Sequence, residues 1–244
     1  VHKYDILNAG VISYAATAYY RKSRYLIEQV GLKFDEMIVF IDISDISDEV
    51  DWYADYNENL GLDSALPEII PKTPTSQRVK QFFRNNSMLY AIPRMIKNRK
   101  LLSEQASFDP LGNQTIRHRR ALWTLDSVYY KKYTVAGMKK AKMNIMNLKK
   151  LMDTHRIKLS LVVYPWPTQI YYQDLDSLQV KEWNTFCEVN QIDFVNLFPD
   201  FISDDPKSNK KTILEYFVKN DMHWNEKGNR KAAEALQRKL AVFR

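Results

Sequence analysis

The chain has 244 residues, 45% hydrophobic, 13% aromatic and 27% charged, and its 36 Lys+Arg exceed 29 Asp+Glu for a formal charge of +7. This apolar content excludes a disordered polymer, 6 Gly and 9 Pro exclude collagen-like or low-complexity sequence, and a lone cysteine, Cys187, excludes a disulfide framework or a cysteine-rich zinc site. The basic balance is compatible with anionic partners but is no sign of a nucleic-acid binder by itself. The first residues, Val1-His2-Lys3-Tyr4-Asp5, show neither an initiator Met nor an apolar leader and read as the inside of a longer protein. No run reaches the length of a membrane span.

Asp5-Ile6-Leu7-Asn8-Ala9 is predicted as a strand ending at Gly10. A helix follows over residues 15–30, with Tyr19, Leu26, Ile27 and Val30 near one face and Gly31 as its stop. Residues 37–43, Met-Ile-Val-Phe-Ile-Asp-Ile, form an almost wholly apolar strand of the kind buried on both faces. From Asp45 to Leu125 the chain is too long for an ordinary crossover and is punctuated by Pro67, Pro71 and Pro74. It reads as a helical insertion or lid, with domain bounds 46–125, after the second strand. Its basic, aromatic stretch 78–100 is an amphipathic surface helix or a helix with its aromatic side on the core, Pro93 interrupting either. Residues 135–156 repeat Met138, Ala141, Ile145, Leu148 and Met152 at helical spacing. Strands at 159–164 and 193–198 flank a helix at 180–190, and a last helix starts at Asn225 as N-cap. Alternating strands and helices predict an α/β fold with a mostly parallel sheet.

Asn220-Asp221-Met222-His223-Trp224-Asn225, just before that last helix, carries the sharpest chemical signal. An acid two residues from a histidine can lay its carboxylate against Nδ1, fixing the tautomer and stabilising the imidazolium when the other nitrogen takes a proton. The same two residues also serve as an ordinary acid and base capping a helix.

Asp221-Met222-His223-Trp224-Asn225-Glu226-Lys227-Gly228-Asn229 resembles the last block of the SGNH, or GDSL-like, hydrolases and acyltransferases, in the D-x-H-W form of polysaccharide O-acetyltransferases of the alginate type. Ile6-Leu7-Asn8-Ala9-Gly10 resembles that superfamily's second block, and Ile41-Asp42-Ile43-Ser44-Asp45 sits where the third would follow the next strand. The resemblance implies a three-layer, flavodoxin-like sandwich and a Ser-His-Asp arrangement. Asp221 and His223 would be catalytic, Gly10, Ser13 and Ser44 would lie in the oxyanion region, and no cofactor or metal is implied. Trp166, Trp224 and Asp45 are candidates to line the substrate. It also implies an acylated carbohydrate or small ester as substrate, an extracytoplasmic location, and membrane anchoring only through a segment not in this chain.

The family's G-D-S block has no counterpart here. The resemblance places that serine on a central strand between those ending at Gly10 and Ile43, so the nucleophile is expected upstream of Val1. Ser44 replaces the usual oxyanion Asn, where its hydroxyl would donate instead. Asp42, Asp45, Asp48 and Glu49 crowd one loop; they read as solvated acids capping the next helix, with calcium the alternative. Ser64 and Ser127 follow aspartates but no convincing strand. His118, among Arg117, Arg119 and Arg120, reads as a solvated basic face, His155 as a helix end, and Cys187 as a buried inert thiol. Trp166, between Pro165 and Pro167, is either a sugar-stacking residue or a plug over the core. The competing expectation is a domain that has lost its nucleophile and binds a glycan or a partner protein.

Overall fold

Backbone hydrogen bonds decide which of the expected strands form. The computed structural model describes residues 5–54 and 118–240, which fall in one compact unit of residues 1–56 and 113–244. Its sheet has three strands, β1 (Glu36–Ile41), β2 (Lys158–Val163) and β3 (Asp193–Asn196), in that spatial order and all parallel. The register sets Ile41 beside Val163 and Val163 beside Asn196, so the three C-terminal ends lie level. The middle strand β2 is buried at every position but its first, the signature of a parallel strand covered on both sides. The chain is therefore a mixed α/β protein built on a small parallel sheet.

The expected strand at 5–9 is not one. Asp5 to Gly10 are all exposed, Ile6 at 78% and Leu7 at 68%, and no ladder forms. A strand exists only through a neighbour that takes its N–H and C=O groups. Among the described residues, nothing pairs with the edge of β1 opposite β2, so this segment has no neighbour to join. At the other end, β3 stops at Asn196 rather than 198 because Asn196 Oδ1 accepts the Phe198 N–H at 2.9 Å and Phe198 opens a helix with Pro199 in its first turn.

The described helices are α1 (Ala16–Glu28), α2 (Asp45–Asp51), α3 (Val135–Thr154), α4 (Pro167–Tyr171), α5 (Leu178–Asn190), α6 (Phe198–Phe201), α7 (Pro206–Tyr216) and α8 (Glu226–Lys239). A 3-10 turn (Arg119–Thr124) and a π turn (Tyr130–Thr134) lead into α3. The predicted inward row of α3, Met138, Ala141, Ile145, Leu148 and Met152, is buried. That helix packs on α1, α2 and β2, and it approaches α2 so closely that a Cβ on Gly137 would stand 1.9 Å from the Ile46 carbonyl oxygen. Glu49, fully buried on α2, ties the three helices together: it accepts from Thr17 N–H at 2.7 Å and Thr17 Oγ1 at 2.6 Å on α1, and from Asn144 Nδ2 on α3. Burial pushes the Glu49 carboxyl up while those hydrogen bonds pull against it.

Gly31 adopts φ 72° just past α1, as a helix stop should. Cys187 is buried, its thiol pushed up to about 12 chiefly by burial, which makes it inert. Residues 55–117 of the expected insertion, with Ser64 and the basic stretch 78–100, lie outside the described residues.

Candidate active site

Parallel strands deliver their following loops to one edge, and here the loops after β1 and β2 are bound together by a single carboxylate. Asp42, the first residue beyond β1, accepts four donors. Ser44 N–H (2.7 Å) and Ser44 Oγ (2.6 Å) bond to its Oδ1, and Tyr164 OH (2.5 Å) and Trp166 Nε1 (2.9 Å), from the loop after β2, bond to its Oδ2. Burial first, then the charge of Asp42, push the Tyr164 hydroxyl well above its ordinary range, so it acts as a permanent donor. Asp45 accepts from the Asp42 N–H at 3.0 Å and from Tyr19 OH at 2.8 Å. Its burial, followed by the negative neighbour Asp42, raises its carboxyl well above the usual range.

The acids after β1 are thus not solvated, as the sequence suggested. Asp45 and Asp48 are 3% exposed and Glu49 is at 0%. They are consumed in ties within the protein: Asp48 pairs with Arg120, whose guanidinium also donates to the Ser44 carbonyl. Ser44 stands at the N-cap of α2 but makes no side-chain cap. Among the described residues, no group of three or more His, Cys, Asp or Glu side chains is placed to hold a metal ion.

The Asp221-His223 loop reaches the same edge. Phe217 and Trp224 form an antiparallel bridge, Val218 N–H donates to the His223 carbonyl at 2.9 Å, and Asp221 N–H donates to the Val218 carbonyl at 3.0 Å. Asn220 takes the left-handed conformation (φ 60°) that such a tight turn requires and that Asn tolerates. Asn225 closes the loop from behind: its amide donates to the Glu215 and Phe217 carbonyls at 2.8 and 3.2 Å, and its Oδ1 caps α8 by accepting from Gly228 N–H at 3.0 Å. The Trp224 ring stacks on Phe201 at 5.3 Å and leans on Tyr164 at 4.6 Å between centroids, which seats the loop against the end of β2.

Within that loop, His223 Nδ1 lies 2.5 Å from Asp221 Oδ1, and the His223 backbone N–H donates to the same oxygen at 3.1 Å. Partial burial disfavours the charge on Asp221, but the two hydrogen bonds and the histidine's charge prevail and hold the carboxyl below its ordinary value. The His223 side chain is 77% exposed. A carboxylate that holds one imidazole nitrogen in a fixed tautomer, while the ring faces solvent, leaves Nε2 as the reactive nitrogen of a general base.

The other expected residues divide. Trp224 and Asp221 join His223 at this edge. Trp166 is 5% exposed and anchored on Asp42, so it is a plug rather than a sugar-stacking surface, and Asp45 is likewise too buried to line a substrate. Gly10 donates its N–H to Asn8 Oδ1 at 2.9 Å on an exposed segment, and Ser13 is exposed with φ 64°. Both Ser44 donors are taken by Asp42, so Ser44 has no proton left for an oxyanion. Ser127 opens a three-residue helical turn and is exposed.

His118 was not expected here. The segment that carries it is fastened to the loop after β1: Trp123 Nε1 donates to the Ile43 carbonyl at 3.1 Å, and Arg120 holds Ser44 and Asp48. The His118 ring meets Trp166 edge-on, 5.1 Å between centroids at 73°, and feels the charges of Asp42 and Asp221. Its basic neighbours in sequence disguised it as surface.

Comparison of the chain with family models, with characterised proteins and with solved structures finds no match.

Proposed function

We propose that the protein is a serine esterase or O-acyltransferase of the SGNH kind, acting on acyl esters of a carbohydrate. The observation that carries this reading is the 2.5 Å Asp221–His223 contact at the C-terminal edge of a parallel sheet, with the ring open to solvent. In this reading His223 Nε2 takes the proton of a serine hydroxyl as it attacks the ester carbonyl, while Asp221 stabilises the imidazolium. The imidazolium returns that proton to the leaving alkoxide, which leaves an acyl-enzyme. Water or a sugar hydroxyl then attacks the acyl carbon, His223 taking its proton and passing it to the serine oxygen as the acyl–serine bond breaks; water makes the protein an esterase, and a sugar hydroxyl makes it a transferase.

In this reading the serine would stand on a strand laid along the edge of β1 that no described residue pairs with. The same reading puts the protein outside the cytoplasm; among the described residues no helix is long and apolar enough to cross a membrane.

One observation favours a second reading, a glycan-binding domain without catalysis: the Gly10 and Ser44 donors expected at the oxyanion are engaged within the protein. Acetyl-ester hydrolysis by the full-length protein and its His223→Ala variant separates the two. Turnover that disappears in the variant, with a serine labelled by a sulfonyl fluoride, is expected of the enzyme. No turnover, no labelled serine and retained glycan binding would establish the binding domain instead.

A further inference from the structure

An ester carbonyl under attack needs a hydrogen-bond donor for the charge that grows on its oxygen. Of the donors that the resemblance implied for this role, Gly10 N–H is engaged by Asn8 and both Ser44 donors by Asp42. His118 stands at the same edge and takes no part in the chemistry described above. We propose that His118 supplies the missing donor, its Nε2–H bonding the ester's carbonyl oxygen as that oxygen becomes negative; the assignment rests on the ester chemistry proposed for Asp221 and His223.

Placement is the first argument. Elements from three parts of the chain converge on this ring: Trp166 after β2 packs against it, Arg120 and Trp123 fasten its segment to the loop after β1, and Asp221 of the histidine loop lies within its electrostatic reach. An imidazole so held is positioned by the fold rather than by solvent.

The second argument is the proton count. His118 Nδ1 is enclosed and has no hydrogen-bond partner among the described residues. A buried N–H without an acceptor is rarer and costlier than an acceptor left short of a donor, so the proton of a neutral ring belongs on Nε2. Charge agrees with this: burial first and the Arg120 cation second hold the ring below the ordinary histidine value, against the opposing pull of Asp42 and Asp221. A neutral imidazole polarises a carbonyl without surrendering its proton. No bond is made or broken at His118; the proton that moves in the reaction passes between serine, His223 and the leaving group.

Two measurements on the full-length protein test this. With p-nitrophenyl acetate as substrate, His118→Phe is expected to lower kcat by about 10²–10³-fold with KM little changed, and His118→Gln, which keeps an N–H donor, to recover part of the loss. In the unsubstituted protein, imidazole 1H–15N correlation spectra are expected to show His118 as the neutral Nε2–H tautomer near neutral pH. A kcat unaffected by His118→Phe, or a His118 ring that is cationic or protonated on Nδ1, overturns the proposal. If turnover depends on His223 but not on His118, this assignment alone fails. If turnover survives His223→Ala, the ester reading fails and takes this assignment with it.

Discussion

Gly228 sits in the first turn of α8, where helix propensity favours alanine over glycine by about 1 kcal/mol. Replacing it with alanine should nevertheless destabilise the protein. A Cβ built at this position would stand 2.1 Å from the Tyr216 carbonyl oxygen, 2.9 Å from Trp224 Cβ and 3.1 Å from Trp224 Cδ1. Non-bonded heavy atoms rest roughly 3.5 Å apart, so α7 and α8 must separate by about an ångström. The atom in the way is backbone, at the end of a helix that Asn225 bonds to α8, and it cannot swing aside as a flexible side chain would. Overpacking of this kind costs about 1–3 kcal/mol. With backbone in the way the cost lies in the upper part of that range, about 2–3 kcal/mol, and set against the propensity gain Gly228→Ala should lose about 1–2 kcal/mol, read as a lower urea midpoint at an unchanged slope. Tryptophan emission should shift in the folded state as well, because Trp224 is displaced from its stack on Phe201. A variant as stable as the parent, or more stable, would show that helix propensity rules this position and that the close approach of α7 to α8 is not what the glycine is for.

Asp221→Asn should lower kcat for ester hydrolysis by about 10²–10⁴-fold through loss of the correct tautomer. Its stability should stay within about 0.5 kcal/mol of the parent, because the pair is largely exposed; an unchanged kcat would remove Asp221 from the mechanism. Glu49→Ala strands Thr17 N–H and the Thr17 hydroxyl proton in the core, while Asn144 Nδ2 keeps Thr17 Oγ1 and the Lys140 carbonyl as acceptors, and it should cost about 3 kcal/mol in thermal or urea unfolding. Glu49→Gln keeps an acceptor and should lose distinctly less; equal losses would mean that volume rather than hydrogen bonding matters there. For Asp48, burial outweighs the Arg120 charge and hydrogen bond and raises the carboxyl from 3.8 to about 6. A raised folded value means a contribution to stability that is present below about pH 4 and lost as the pH rises through about 6. The urea midpoint should therefore decline over that window, and the decline should shrink in Asp48→Asn; an identical pH profile in the variant would refute the assignment.

The Asp221-His223 pair was legible because its geometry is local: two residues apart, on a turn fixed by the helix that follows. The apolar strands β1 and β2 and the inward row of α3 were legible for the same reason, since periodicity over a few residues encodes which side is buried. What failed was everything that depends on a distant partner. Residues 5–9 have the composition of a strand, but a strand is a property of two segments, and its neighbour is not among the described residues. The acids after β1 looked solvated because nothing nearby in sequence announces Tyr19, Tyr164, Arg120 or Thr17 as their partners. His118 was hidden by the arginines around it, although Trp123, five residues later, was a hint that the segment turns inward. Ser44 was assigned a donor's role on position alone; its two donors and the carboxylate that takes them lie within three residues, and an Asx-type turn at Asp42 was the signal overlooked.

The tether that Asn225 makes between the end of α7 and the start of α8 has a thermodynamic consequence for the histidine it stands beside. A ring 77% exposed on a free loop would sample many orientations, and a substrate would have to select one of them at a cost in affinity. Here both stems of the 218–223 turn are bonded to each other and to two helix ends, so the loop gives up its conformational freedom when the protein folds and has little left to give up when a ligand arrives. Exposure and rigidity are separate properties, and His223 combines the access of a surface residue with the order of a core one. The loop is thereby tied to global stability: amide exchange at Val218, Asp221 and Gly228 should slow together, because none of these bonds opens without the junction between the two helices opening as well.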